Sequence, residues 1–513
     1  MKILFNIKYS YASFALIVLA FALSSCSNDF LDRRAQGAYN QDDYPYPEGS
    51  GPYDQFINGA YATLRSYNVT VFPFLAATSM RSDDADKGST PSDSPDALQF
   101  DNFTLTPTNG LVNALWVGHF NLVNDCNFVL DRIANDPNPN TPQALKVDAE
   151  AQARFLRGYA YFMLVRCYGR VPILDTLIST EVSESNIPQS TPAQVYAFIE
   201  QDLQFAANNL LPASGYDRKF IGRINSGAAH ALLAKVYLTQ GKWAQAMSEA
   251  NIVMTSGQYD LSVPYATIFN EEGENSKESI FEVQATATPT VPTDFGSQYT
   301  QVQSVRGSGD WNYGWGFNVP SADLANAYEP GDPRRRRTIF YSVPDSVTIF
   351  GERPQAGLPN PRYNNKVYTN PAKRATIGSR SGWWMNVRLL RYADVVLMYA
   401  EAANELGGTE NTTRALQALN SVRARARGAN ANILPNVTTT DQELLRQAIR
   451  KERRIELAME HERFFDLVRW GTAATVMQGV GKNFIPGRHE LLPIPQAQID
   501  LSKGRLTQNP GYN

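Results

Sequence analysis

The strongest constraint on the fold is a helical hairpin, written into the chain more than once. Asn225 or Ser226 caps a helix that carries Ala228, Ala231, Leu232, Ala234, Val236 and Tyr237 and stops at Gly241. Trp243, Ala246, Met247 and Ala250 follow at i, i+3, i+4 and i+7. Small alanines let two helices approach closely, and a glycine between them reverses the chain, which is the logic of a tetratricopeptide-like unit. The same logic recurs at Ala393, Val396, Leu397 and Ala400, then Gly407-Gly408, then Ala415, Leu416, Leu419 and Val422. Thr191-Pro192-Ala193-Gln194 is a capping box with proline at the first helical position, and Val195, Ile199, Leu203, Ala206 and Leu210 line one face behind it. Helical patterns also run over Asp54–Arg65, Leu111–Ile133 and Asp148–Tyr168, and Thr440-Asp441-Gln442-Glu443 reads as a capping box opening a long charged helix. With 513 residues, 43% of them hydrophobic, the chain can bury a large core. The expected class is mostly α, with about four hairpin units as scaffold.

Between the helices the composition changes. From about 285 to 384 the chain is rich in Gly, Pro, Thr and aromatics and has little helical period. A long irregular stretch inside a compact protein is usually functional, and its aromatics argue against disorder. The expected organisation is a helical half over about 40–260, a loop-rich insertion with short β pieces over about 285–384, and C-terminal helices and tail over about 385–513.

Residues 1–25 are read as a secretory signal. Lys2 and Lys8 precede an apolar run from Tyr11 to Leu23 that is too short to span a bilayer comfortably. Leu23-Ser24-Ser25-Cys26 resembles the lipobox of bacterial lipoproteins. That resemblance implies cleavage before Cys26 and lipidation of its thiol, an anchor that holds without spanning. An ordinary secreted chain with a chance cysteine at the cleavage site is the alternative. Cys126 and Cys167 both lie in helical patterns, and the sequence leaves open whether they pair. A net charge of −3 excludes a global basic field for nucleic acid.

Six blocks, in order, carry a more specific resemblance. Cys26 is followed by Asp29-Phe30-Leu31-Asp32. Glu150-Ala151-Gln152-Ala153-Arg154-Phe155-Leu156-Arg157-Gly158-Tyr159 leads to Tyr168-Gly169-Arg170-Val171-Pro172. Ala231–Leu238 precedes Gly241-Lys242-Trp243, and Arg391–Ala402 opens the C-terminal part. Ile449-Arg450-Lys451-Glu452-Arg453-Arg454-Ile455-Glu456-Leu457 runs on to Arg463-Phe464-Phe465-Asp466-Leu467-Val468-Arg469-Trp470-Gly471. Leu492-Pro493-Ile494-Pro495 and Gln508-Asn509-Pro510-Gly511-Tyr512 close the chain. Across nearly its whole mature length the chain resembles the SusD/RagB-type lipoproteins, partners of SusC-like TonB-dependent transporters. The resemblance implies a tetratricopeptide-like helical fold, a surface ligand site, no catalysis and a place on the outer membrane over a transporter's extracellular mouth.

The candidate ligand groups come from the insertion and from one early loop. If Trp311-Asn312-Tyr313-Gly314-Trp315-Gly316-Phe317 is extended, Trp311, Tyr313, Trp315 and Phe317 share one face. Sugars present C–H faces that stack on flat rings, while amides and acids bind their hydroxyls. The same rings would equally serve as a buried strand packed on the helices. Trp383 and Trp384 are adjacent, so on a strand one at most meets ligand; Trp384 is taken as that one. Resemblance to the family places ligand near Ser82-Asp83-Asp84-Ala85-Asp86-Lys87, where Asp83 and Asp84 would accept sugar hydroxyls. A solvated acidic turn, a cap or a calcium-binding loop are the other readings, and no other cofactor is implied.

An enzyme is the rival class. Glu456 and Glu460 lie one helical turn apart, and glycosidases need paired carboxylates. Arg453, Arg454, Arg463 and Arg469 crowd the same segment and would keep those acids ionised, the opposite of what a general acid requires. An ion-pair network between packed helices is the expected outcome. The run Arg334–Arg337 is too short for a nucleic-acid patch and is read as solvated or salt-bridged. The expected function is capture of an oligo- or polysaccharide, with peptide capture or glycan cleavage as alternatives.

Overall fold

The computed structural model describes residues 52–512 except 137, 178–186 and 344. The signal segment 1–25 and Cys26 lie outside the described residues. The scaffold is α1 (Asp54–Arg65), α2 (Gly110–Ala134), α3 (Gln143–Tyr168), α4 (Pro192–Asn209), α5 (Ser226–Thr239), α6 (Trp243–Thr255), α7 (Tyr392–Leu406), α8 (Thr409–Arg427), α9 (Gln442–Glu456) and α10 (Arg463–Arg469). From α2 to α8 each helix packs on the next, and α9 packs on α7. The insertion between α6 and α7 therefore leaves the helical stack and returns to it.

Local chemistry explains the helix ends. Thr191 and Gln194 form the capping box of α4, and the Asn225 side chain accepts from the Ala228 amide at the start of α5. α9 differs from expectation: Asp441 caps it, accepting from the Leu444 amide, so the cap lies one residue later than read and is a single bond. Gly241 and the pair Gly407-Gly408 take positive φ at the hairpin turns, where a side chain would be strained. Ala228, Ala231, Ala234, Ala246 and Ala250 are fully buried, as close helix approach requires. Cys126 and Cys167 are buried free thiols; burial pushes Cys167 up to about 11, which leaves it inert.

Three antiparallel two-stranded ribbons tie distant segments together. β2 (Ser279–Val283) pairs with β6 (Val387–Arg391), which closes the insertion at its base. β1 (Ala85–Gly88) pairs with β3 (Phe317–Pro320), matching Asp86 to Val319 and Gly88 to Phe317. β4 (Ile339–Tyr341) pairs with β5 (Arg362–Asn364) within the insertion.

Under these ribbons lies a buried ion network. Arg391 donates to Glu278, Glu456 and Glu460; Arg334 reaches Asp332, Glu452 and Glu456; Arg425 also pairs with Glu456. Beside it, Arg453 bridges Asp394 and Asp466, and Lys235 bridges Asp394 and Glu462. Arg334 and Arg337 are buried while Arg335 and Arg336 face solvent, so the basic run splits by helical turn. Burial alone would raise the Glu456 pKa, but Arg425, Arg391 and Arg334 outweigh it and hold it at about 2.

Removing one member of such a network strands buried charge. Glu456→Ala should cost about 3–5 kcal/mol in urea denaturation at neutral pH. Because the folded pKa is depressed, the gap between wild type and variant should be full above about pH 4.3 and close as pH falls towards about 2. A loss below about 1 kcal/mol would mean that the network is not integral to the fold.

Candidate functional site

The aromatic strip does not lie on one strand face. Gly309–Trp311 forms a 3-10 turn, and only Phe317–Pro320 is strand. The segment between folds back on the helical turn Tyr299–Gln303: Tyr313 and Gly314 amides donate to the Val305 carbonyl, the Trp315 amide to Gln301 and the Gly316 amide to Ser304. A Cβ at Gly314 would sit 2.5 Å from Ser304, so this fold-back admits only glycine there. The rings consequently diverge. Trp311 and Tyr313 are buried with Phe340, Tyr363 and Tyr368 in a small core of the insertion's own, while Asn312 between them is exposed. Trp315 turns the other way, its ring 6.4 Å from Tyr67 and 6.3 Å from Phe72, and stays half-buried.

The tryptophan pair splits too, with the roles opposite to those read from the sequence. Trp384 is 3% exposed and its Nε1 donates to Glu271 at 2.9 Å, whereas Trp383 is half-exposed. Asp83 and Asp84 are both 1% exposed and face inward. Asp83 accepts from Arg463 Nε at 2.8 Å and Nη2 at 2.7 Å, and it also pairs with Arg454; Asp84 accepts from Arg454 Nε at 2.7 Å. Burial favours the neutral acid at both sites. At Asp83 the Arg463 and Arg454 guanidinium groups prevail and lower its pKa; at Asp84 burial prevails and raises it. Neither carboxylate is free to meet a ligand in this conformation. Among the described residues no group of three or more His, Cys, Asp or Glu is placed to hold a metal ion.

What remains at the surface converges on Gln301. Its backbone carbonyl holds the Trp315 amide at 2.9 Å, and its side-chain Oε1 accepts from Trp383 Nε1 at 2.9 Å. One residue thus holds the Trp383 indole and the Trp315 main chain, both tryptophans being half-buried. Behind Trp383 the Ser297 amide donates to the Trp383 carbonyl, and Gly296 lies so close that a Cβ there would be 2.9 Å from Trp383 Cβ. That contact carries Phe295, 56% exposed, next to the platform. On the Trp315 side, the Ser89 amide donates to the Gly316 carbonyl, and Ser89 follows β1 in left-handed backbone. Ser89 and Arg306 also hold Asp93, whose carboxyl lies below the usual range mainly because it accepts from the Ser89 hydroxyl. The surface therefore offers flat rings, amide groups and a half-exposed Asp93–Arg306 pair, a set suited to stacking on and hydrogen bonding to a polyhydroxylated ligand. Gln301, Phe295 and Tyr67 carried no sequence signal of this role; they join the tryptophans only through the fold-back and the β2–β6 closure.

Residues 277–512 match the family described as SusD, and residues 52–238 match one described as starch-binding and associating with the outer membrane. The chain belongs to the SusD family. A SusD-like protein of Formosa agariphila, P2, is 29% identical over 480 residues, 89% of this chain and 91% of its own length. Among solved structures, a laminarin-binding SusD-like protein aligns at 28% identity and a TM-score of 0.74, covering 90% of this chain and 99% of that one. Surface glycan-binding protein A from Bacteroides thetaiotaomicron, in complex with laminarihexaose, aligns at 25% identity and a TM-score of 0.72 over 89% of this chain and 98% of its own. The two solved proteins are named for binding laminarin or a surface glycan, and the mostly helical fold with few short strands is theirs. No described helix is long and apolar enough to cross a membrane.

Stability measurements separate the inward residues from the outward ones. Asp83→Ala should cost about 3–5 kcal/mol by leaving Arg463 and Arg454 without their shared acceptor. Phe295→Ala should change stability by no more than about 0.5 kcal/mol. Equal effects of the two in denaturant melts would contradict this division.

Proposed function

We propose that this SusD-family protein captures a glycan at the cell surface on the Trp315–Gln301–Trp383 platform and passes it to a SusC-like TonB-dependent transporter. The observation that carries the reading is the double contact of Gln301, whose side chain holds the half-buried Trp383 indole and whose carbonyl holds the main chain of the half-buried Trp315. A stacking platform needs rings fixed in orientation before the ligand arrives, because rings that must be ordered on binding lose part of the contact energy. Asn312 and the Asp93–Arg306 pair lie within the same loop system and supply hydrogen-bonding groups at its edge. Trp311, Tyr313 and Trp384 act from beneath, as packing that holds the surface. Asp83 and Asp84 act through β1, whose end carries Ser89.

The proposed protein is not an enzyme. The carboxylates of the glycosidase reading, Glu456 and Glu460, are engaged by Arg391, and both have pKa values lowered by their cationic neighbours against the pull of burial. Cys26 would carry the lipid anchor, and the helix hairpins would serve as tetratricopeptide-like units facing the transporter. Laminarin is the first ligand to test, because two similar solved proteins are named for binding laminarin or its hexasaccharide.

Calorimetry and affinity electrophoresis of the purified protein against laminarin, other polysaccharides and peptides test the reading, with sugar release followed in the same mixtures. Binding to a glycan without cleavage is expected. Trp315→Ala and Trp383→Ala should each weaken it at least about tenfold, about 1.4 kcal/mol, with melting temperature little changed. Binding of peptides alone, or release of sugar, would overturn the proposal.

A further inference from the structure

Lys482 lies far along the sequence from the loop that precedes β1, yet its ammonium is set inside that loop. Its Nζ lies 3.1 Å from the Met80 carbonyl, 2.8 Å from the Ser82 carbonyl, 3.0 Å from the Ala85 carbonyl and 2.7 Å from Asp101 Oδ1, four acceptors shared among three N–H donors. Three main-chain carbonyls and one carboxylate around a single cation are the donor set of a metal-binding loop, with a side-chain ammonium where the ion would be.

The loop has few other ways to satisfy these groups. The π-helical turn Ala76–Met80 ends at Met80, and β1 begins only at Ala85. Of the carbonyls between, Asp83 accepts from Ser321 Oγ and Asp84 from the Ser321 amide. Met80, Ser82 and Ala85 point their carbonyls at Lys482 instead. Buried carbonyls without partners are costly, so the cage needs a cation to persist. The rest of the cage is acidic as well. Asp101 Oδ2 accepts from the Lys87 amide, and burial raises the Asp86 pKa while Lys482 pulls it down.

We propose that Lys482 is the built-in cation of this cage, and that without it the cage is a binding site for a monovalent cation of ammonium size. The distances select the ion class. Oxygens at 2.7–3.1 Å are too far for calcium, at about 2.3–2.6 Å, and much too far for magnesium, at about 2.0–2.1 Å. A ring of carbonyls at this spacing suits potassium or ammonium, and Asp101, the one carboxylate bonded to the ammonium, matches a single positive charge. The calcium reading of the acidic loop is replaced by three side-chain cations: Arg454 and Arg463 on Asp83 and Asp84, and Lys482 on the carbonyls. Lys482 is thereby also a positioning residue for the ligand platform, a role that rests on the proposed glycan reading. The caged loop leads through β1 to Ser89, whose amide holds the Gly316 carbonyl next to Trp315.

The test is cation rescue. Lys482→Ala empties the cage, while Lys482→Met fills it with an uncharged stem. Melting temperatures are measured in potassium, ammonium, sodium, calcium and N-methylglucamine chlorides at matched ionic strength. Wild type should be indifferent to the cation. Lys482→Ala should melt at least about 5 °C lower in N-methylglucamine chloride and recover at least half of that loss in potassium or ammonium chloride. Lys482→Met should show no such recovery. If Lys482→Ala does not fold in N-methylglucamine chloride, the yield of folded protein in ammonium chloride is the equivalent readout. Absence of cation-selective recovery, recovery by calcium alone, or equal recovery of Lys482→Met would overturn the proposal. Because melting needs no glycan, failure here is distinct from failure of the capture reading. If both hold, the same potassium or ammonium salts should also restore laminarin binding by Lys482→Ala.

Discussion

The fold depends on burying many charges together. Glu456 is fully buried and receives Arg334, Arg391 and Arg425, one from the insertion, one from β6 and one from α8. Each arginine is in turn shared with further carboxylates, so no partner can be placed without the others. A buried pair of this kind contributes little net stability against an apolar core of the same shape, because desolvation offsets most of the attraction. What it does impose is register: a helix displaced by one turn would leave guanidinium groups facing nothing. The helical stack, the base of the insertion and the C-terminal helices meet at these groups, which makes the network the point at which the three parts are aligned.

The proposed ligand surface inherits that alignment. Arg391 ends β6, which pairs with β2 and brings both ends of the insertion to one place. The helical turn Tyr299–Gln303 just inside that closure is anchored below by Tyr299, whose hydroxyl lies 2.6 Å from His461 Nε2. His461 is buried beside the network; burial pulls its pKa down to about 3, so it is a neutral partner at neutral pH. Two residues along the same turn is Gln301, whose carbonyl holds the Trp315 amide and whose side chain holds the Trp383 indole. From the other side, Arg454, Arg463 and Lys482 hold the loop that leads to Ser89. Rigid charged anchoring beneath and half-exposed rings above are two parts of one arrangement, since rings fixed in advance bind without the cost of being ordered.

How much of this could be read from the chain follows from the range of the forces involved. Helix pairs, their alanine faces, the Thr191 capping box and the glycine turns are set by contacts within a few residues, and they were legible. The charged block Ile449–Gly471 also declared itself, because arginines and carboxylates that dense in a helix must pair. Trp311, Tyr313 and Trp315 were legible as aromatics of consequence, but their directions were not. Alternation along a strand predicts one shared face, and the Gly314 fold-back onto Ser304 sends two rings into the insertion's core and one, half-buried, against Tyr67 and Phe72. Asp83 and Asp84 were visible as acids in a loop; the arginines that claim them lie some 370 to 380 residues away, at Arg454 and Arg463. The sequence by itself determined the helical scaffold, the family and the presence of an aromatic-rich insertion, because those rest on local period and motif. Only the tertiary structure decided which indoles face solvent, which carboxylates are spent on internal cations and where Lys482 goes, because each depends on long-range pairing that no local pattern encodes.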